Sequence, residues 1–290
     1  MPKVTLPPAV SAERAVIQVV NEIDLSYYAD TSGSGTPLVL IHSINAAASV
    51  VEMKPLFERY RGQRPTYAPD LPGFGFSDRS EREYTPELYA QSIVEFLQKV
   101  VGESADVVAL SLGCEFVARA ALRAPELFHS LTFISPTGFS RKSGAKPKSA
   151  DIAHTVLKFP LVGAPLFTAL RQRRSIRYFL NMSFVGEPPQ TLVEYALKTA
   201  DQPKARNAPL HFLSGRLFTY DARTSLYEKV TMPTLILYDN DPYTSFDTLP
   251  ELLESRPNWQ ATRIPNTLGL PHWKKLPEVT DALNSFWTSL

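Results

Sequence analysis

Four short runs of β-branched and large apolar residues, Pro37–His42 (PLVLIH), Ala105–Leu110 (ADVVAL), Ser130–Ile134 (SLTFI) and Thr234–Tyr238 (TLILY), alternate with segments that carry the apolar spacing of helices. A strand apolar along its whole length is buried on both faces, and a parallel neighbour is reached only through a crossover, usually a helix. The pattern therefore predicts an α/β fold: a mostly parallel central sheet of about eight strands flanked by helices. Weaker runs at Ala15–Val20, Ile23–Tyr28, Pro65–Ala68 and Ala261–Ile264 supply the remaining strands. The first two of these, joined by Asn21-Glu22, predict an antiparallel hairpin. Thr85-Pro86 opens a helix whose stripe of Tyr89, Ile93, Phe96, Leu97 and Val100 ends before Gly102, a second is expected from about Ser111 to Arg123, and a last one from about Val279 to Trp287.

The alternation breaks once, between Gly138 and Val230, where no buried strand is evident. That stretch opens with the polar run FSRKSGAKPKSAD and continues with helical patterns rich in Phe, Tyr and Leu. The expected organisation is a core domain of residues 1–137 and 231–290 with a helical cap, residues 138–230, inserted into it. With 44% hydrophobic and 20% charged residues and a net charge of +1, the chain lacks the field that draws a protein to nucleic acid. No apolar run reaches the ~20 residues of a membrane span, the N-terminus has no signal-like segment, and the lone Cys114 excludes an internal disulfide, so a cytoplasmic location is expected.

One strand-to-helix junction carries chemistry. Ala109-Leu110-Ser111-Leu112-Gly113 puts a serine on a sharp turn with small residues two positions away on each side, where backbones crowd and a hydroxyl projects above the sheet. The helix N-terminus adds N–H groups and partial positive charge where an oxyanion would form. A serine after a strand is often only a helix cap. A serine nucleophile needs an imidazole held by a carboxylate, and the chain supplies both in the order Ser, Asp, His. Asp241 lies in Tyr238-Asp239-Asn240-Asp241-Pro242 at the carboxyl end of a strand, with Asp239 as its rival two residues away, and His272 follows the last strand. Of the other histidines, His42 ends a strand, His129 precedes one, and His154 and His211 fall in the insertion. Cys114 is expected to be an ordinary core residue.

With these residues in place the chain resembles the α/β-hydrolase family, in particular its capped branch of esterases, C–C bond hydrolases and related enzymes. Asp70-Leu71-Pro72-Gly73-Phe74-Gly75-Phe76-Ser77 is similar to the family's D-x-P-G-x-G-x-S loop, and Leu40-Ile41-His42-Ser43-Ile44-Asn45 to its strand, His-Gly and oxyanion loop. The resemblance implies that the backbone N–H groups of Ile44 and Leu112 form the oxyanion hole. Ala109 and Ser43 stand where the family usually has glycine. Gly is also common where Asp239 stands and directly before the catalytic histidine, where Pro271 stands. Asn45 lines the pocket or shapes the turn. No carboxylate stands at Ser135 or Pro136, the alternative place for the acid, and a serine nucleophile implies an acyl-enzyme rather than the alkyl ester of aspartate-dependent relatives.

The implied activity is a carboxylesterase-like serine hydrolase acting on a small, mainly hydrophobic substrate through Ser111, Asp241 and His272. A C–C bond hydrolase or thioesterase on the same triad is an alternative, as is a ligand-binding accessory protein with little turnover. Phe159, Leu161, Phe167, Tyr178, Phe179 and Phe184 offer an apolar wall, and Arg171, Arg173, Arg174 and Arg177 a solvated face. No His or Cys pair has metal spacing and no phosphate loop is present, so no metal and no cofactor are expected. The partner is a small molecule, with neither nucleic acid nor a membrane span, and the oligomeric state is left open.

Overall fold

A computed structural model describes residues 5–140 and 147–290. Its centre is one eight-stranded sheet in the order β1-β2-β4-β3-β5-β6-β7-β8. The strands are β1 (Glu13–Val19), β2 (Ile23–Asp30), β3 (Leu38–Ile41), β4 (Thr66–Pro69), β5 (Ala105–Leu110), β6 (Phe128–Ile134), β7 (Thr234–Tyr238) and β8 (Trp259–Arg263). β1 pairs antiparallel with β2 and β2 antiparallel with β4, while every pairing from β4 through β8 is parallel. All eight expected strands are present. The hairpin turns on Asn21 and Glu22, both with φ near +55° (55° and 56°), the left-handed pair that matches strand twist.

Core helices α1 (Lys54–Tyr60), α2 (Pro86–Phe96) and α3 (Gly113–Arg123) follow the first half of the sheet. α2 starts where Thr85 caps it by accepting from the N–H of Leu88, and its apolar stripe packs on α3 through Tyr89 stacked on Phe116 at 4.6 Å between centroids. Between β6 and β7 the described residues contain helices and no strand: α4 (Pro147–Lys158), α5 (Pro160–Leu170), α6 (Arg173–Met182), α7 (Gln190–Ala200), α8 (Asn207–Leu213) and α9 (Ala222–Ser225). The polar run expected at the start of this insertion lies partly outside the described residues. α10 (Leu249–Ser255), α11 (Pro271–Lys274) and α12 (Leu276–Thr288) complete the core. Among the described residues no single helix is long and apolar enough to cross a membrane.

The apolar surface divides into two main clusters, one containing α2 and α3, the other α1 and α12. β5 is buried at every residue and points its carboxyl end at the turn that carries Ser111. The sheet thereby fixes the position of one serine to within a peptide unit.

Candidate active site

Ser111 sits between β5 and α3 with φ +52°, a left-handed conformation that costs a serine about 1–2 kcal/mol and is held by its N–H donating to the carbonyl of Ile134 at 2.9 Å. Its hydroxyl makes no hydrogen bond with another described residue. Gly113 is obligatory here because a Cβ would lie 2.5 Å from the His42 carbonyl oxygen, so the His42–Ile44 loop rides directly against the turn. Ile44 and Leu112 are both buried and neither N–H donates to a described residue. Ser111 itself is half-buried, and unengaged N–H groups such as that of Leu112, next to it in the chain, can bind a carbonyl oxygen as it gains charge.

The loop carrying Ile44 is organised by a residue that sequence reasoning missed. Glu52 is buried in the run Val50-Val51-Glu52-Met53; its Oε2 accepts from the Ser43 N–H (2.9 Å) and hydroxyl (2.8 Å), and its Oε1 accepts from Asn45 Nδ2 (2.6 Å). Ser43 in place of glycine is thus matched by its own acceptor, and Asn45, which also accepts from the N–H of Ala47, shapes the turn. Burial pushes the Glu52 carboxyl upward against these bonds. The signal was available: one acid inside an otherwise apolar run. His42 ties the same loop to the Gly73–Ser77 segment. Its Nε2 accepts from the N–H of Leu71 (2.8 Å), which fixes the proton on Nδ1, where it donates to the Ser43 carbonyl (2.6 Å). Burial lowers this imidazole to about 4, so it is a neutral strut.

The two acids after β7 have separate surroundings. Asp239 is engaged on both oxygens, accepting from Arg263 Nε (3.1 Å) and from the N–H groups of Thr267 (2.9 Å) and Leu268 (3.3 Å). Against the upward push of burial, these bonds hold its carboxyl below the usual range. It ties down the loop after β8. Asp241 accepts only from backbone through Oδ1, from Tyr243 at 2.7 Å, and burial raises its carboxyl. Its Oδ2 lies 2.9 Å from where a Cβ on Gly269 would stand, so it sits directly against that glycine.

His272, expected to be the base, is hydrogen-bonded to neither Ser111 nor Asp241. Its ring is fully buried on α11, and Nε2 donates to the backbone carbonyl of Glu52 at 2.7 Å, an oxygen that also accepts from Trp273 Nε1 at 2.7 Å. Nδ1 has no partner, and burial lowers the ring to about 4. The physical reason is local: α11 carries the ring under the run of Val50 to Met53, where the Glu52 carbonyl accepts from it, while Asp241 Oδ2 lies against Gly269, three residues earlier.

The buried neutral His272 has a measurable signature. An unfolded histidine takes its proton near pH 6.5 and the folded ring only near 4, so its contribution to stability falls as pH drops through that window, by about 1.4 kcal/mol per unit. His272→Gln keeps a donor for Glu52 and removes the titration. The stability difference between wild type and this variant, from urea unfolding, is expected to shrink by about 2 kcal/mol between pH 7 and pH 5; an unchanged difference would show that the ring titrates normally.

Elsewhere, His129 bonds Asp106 at 2.8 Å at the start of β6, and Cys114 is a buried core thiol. Arg171, Arg173 and Arg177 pair with Asp201, Glu194 and Glu187 at the surface, the solvated face expected of them. Arg79, unremarked in the sequence, is buried: its guanidinium donates to the carbonyls of Gly75 (2.6 Å) and Thr199 (2.9 Å) and joins the glycine loop to α7.

The model of the family described as "Alpha/beta hydrolase family" matches residues 38–273. The chain belongs to the α/β-hydrolase family. Among curated proteins it is similar to a 2-hydroxymuconate semialdehyde hydrolase from Pseudomonas sp. (strain CF600), 29% identical over 111 residues (38% of this chain, 39% of that protein). It is also similar to a 2-(acetamidomethylene)succinate hydrolase from Mesorhizobium japonicum, 32% identical over 107 residues (37% and 38%). The matches thus span about two fifths of these relatives' length. Among solved structures this α/β hydrolase superposes on a serine hydrolase involved in carbazole degradation with a TM-score of 0.79 at 16% identity, covering 97% of this chain and 100% of the other. An esterase from Thermogutta terrifontis gives a TM-score of 0.73 at 19% identity, covering 96% and 99%. At these identities the superpositions establish the fold.

Proposed function

We propose that this α/β hydrolase is a carboxylesterase-like serine hydrolase in which Ser111 attacks the ester-like carbonyl of a small, mainly hydrophobic molecule, with the Ile44 and Leu112 N–H groups binding the oxyanion. The left-handed backbone of Ser111 carries the reading: such strain persists where the surrounding structure enforces it, and here it presents a hydroxyl beside unengaged donors. Asp241 is the acid and residues 138–230 act as a cap over the site. His272 can serve as the base only after leaving the Glu52 carbonyl, so attack is slow and favours activated acyl groups. The buried Cys114 thiol fits a cytoplasmic location.

A fluorophosphonate probe tests the nucleophile. Stoichiometric labelling is expected at Ser111 and nowhere in Ser111→Ala; folded wild type that stays unlabelled overturns the proposal. With p-nitrophenyl esters, a burst of one equivalent followed by slow release is expected.

The engagement of His272 favours a second reading, a ligand-binding member of the family with little turnover. Tight, saturable binding of a hydrophobic carbonyl compound without a burst would select it. The hydrolases among the relatives make vinylogous diketones the first C–C bond substrates to profile beside aliphatic esters and thioesters.

A further inference from the structure

Away from Ser111, a cavity of about 680 Å³ opens between the insertion and the start of α2, lined by Glu83, Thr85, Asp151, His154, Lys158 and Arg216 among others. Three residues distant in sequence converge at its edge, two of them, Glu83 and His154, lining it. Glu83 lies just before α2, His154 on α4 and His211 on α8, and each offers a ligand atom within 4.8 Å of the other two. The two imidazoles are 4.1 Å apart between centroids and tilted by 44°. Both histidines are buried, at 4% exposure each, yet both ring nitrogens of His154 and Nδ1 of His211 have no hydrogen-bond partner among the described residues. Leaving such groups unsatisfied costs about 1–3 kcal/mol apiece, a cost that a shared ligand would remove.

We propose that Glu83, His154 and His211 form a binding site for a divalent transition cation of the Zn²⁺ or Co²⁺ type. Two imidazoles and one carboxylate are borderline donors suited to such ions, and the open cavity leaves room for water at the remaining position. Metal ligands at about 2.0–2.2 Å lie about 3.4 Å from one another in a tetrahedron, so the three atoms must close by about an ångström. Glu83, half exposed, can supply that movement. Four charges face the site: Glu83 bonds Lys158 and Arg216 (2.8 Å), and Arg216 pairs with Asp151 (3.0 Å). They sum to zero, so the ion meets no net repulsion, and each Glu83 oxygen retains a lone pair beyond its present bond. A bound ion would fasten α4 and α8 of the insertion to the core segment before α2.

Zn²⁺ titration followed by calorimetry, with Co²⁺ visible absorption as the coordination readout, tests the site on the full chain. One ion per chain is expected, with affinity falling at least about tenfold in His154→Gln and in His211→Gln, and unchanged in His129→Gln, whose imidazole is half exposed. No binding by wild type, or binding that both variants retain, overturns the proposal. Should a variant fail to fold, paramagnetic shifts of ring protons in Co²⁺-loaded wild type decide instead: two shifted imidazoles support the site, and none refutes it.

Discussion

Leu270→His is expected to raise hydrolysis of p-nitrophenyl esters by about 10²–10⁴-fold, the usual contribution of a positioned general base. Asp241 Oδ1 is committed to the Tyr243 N–H, whereas Oδ2 lies against Gly269, the chain neighbour of Leu270, and can accept from an imidazole offered there. Leu270 is buried at 8% exposure and close to histidine in volume, so the exchange costs little packing. Steady-state rates after the burst are the measurement, with Ser111→Ala/Leu270→His as the silent control. Adding His272→Gln to Leu270→His is expected to leave the rate unchanged. A folded Leu270→His protein with wild-type turnover would show that this position does not reach the nucleophile.

Gly75→Ala is expected to cost about 3–5 kcal/mol, enough to deplete the folded state of a domain of ordinary stability. Gly75 has φ +50°, and a Cβ there would fall 1.9 Å from Cγ of Asp70. Asp70 cannot yield, because its two carboxylate oxygens accept from the N–H groups of Val50 and Phe76, both at 2.9 Å, and its carbonyl accepts from the Ser77 hydroxyl. Moving it strips a buried carboxylate of donors. Urea unfolding, or recovery of soluble protein, measures the loss; a decrease below about 1 kcal/mol would mean that the loop relaxes.

The sheet was legible in the sequence because its signal is local. PLVLIH, ADVVAL, SLTFI and TLILY are buried on both faces and flanked by helical patterns, and even the hairpin at Asn21-Glu22 announced itself. The D-x-P-G-x-G-x-S loop was legible for the same reason: its spacing follows from the contact of Gly75 with Asp70. What sequence order could not carry was partnership across the fold. His272 is the one histidine after the last strand, but its bond to the Glu52 carbonyl depends on the path from Asn266 to Leu270, where Asn266 and Leu268 take positive φ. The acid that positions the loop of Ser43 to Asn45, Glu52, acts through bonds that no spacing rule encodes. Likewise Glu83, His154 and His211 are brought together only by the docking of α4 and α8.

Arg79 joins the insertion to the core mechanically. By clamping the Thr199 carbonyl to that of Gly75, it ties the last turn of α7 to the loop beneath. α4 and the start of α5 present Ile152, Phe159 and Leu161 to solvent, and Lys158 of α4 reaches the core through its ion pair with Glu83. Strain on α7 is therefore passed straight into the loop of Gly73 to Ser77, so the insertion and the glycine loop move or hold together.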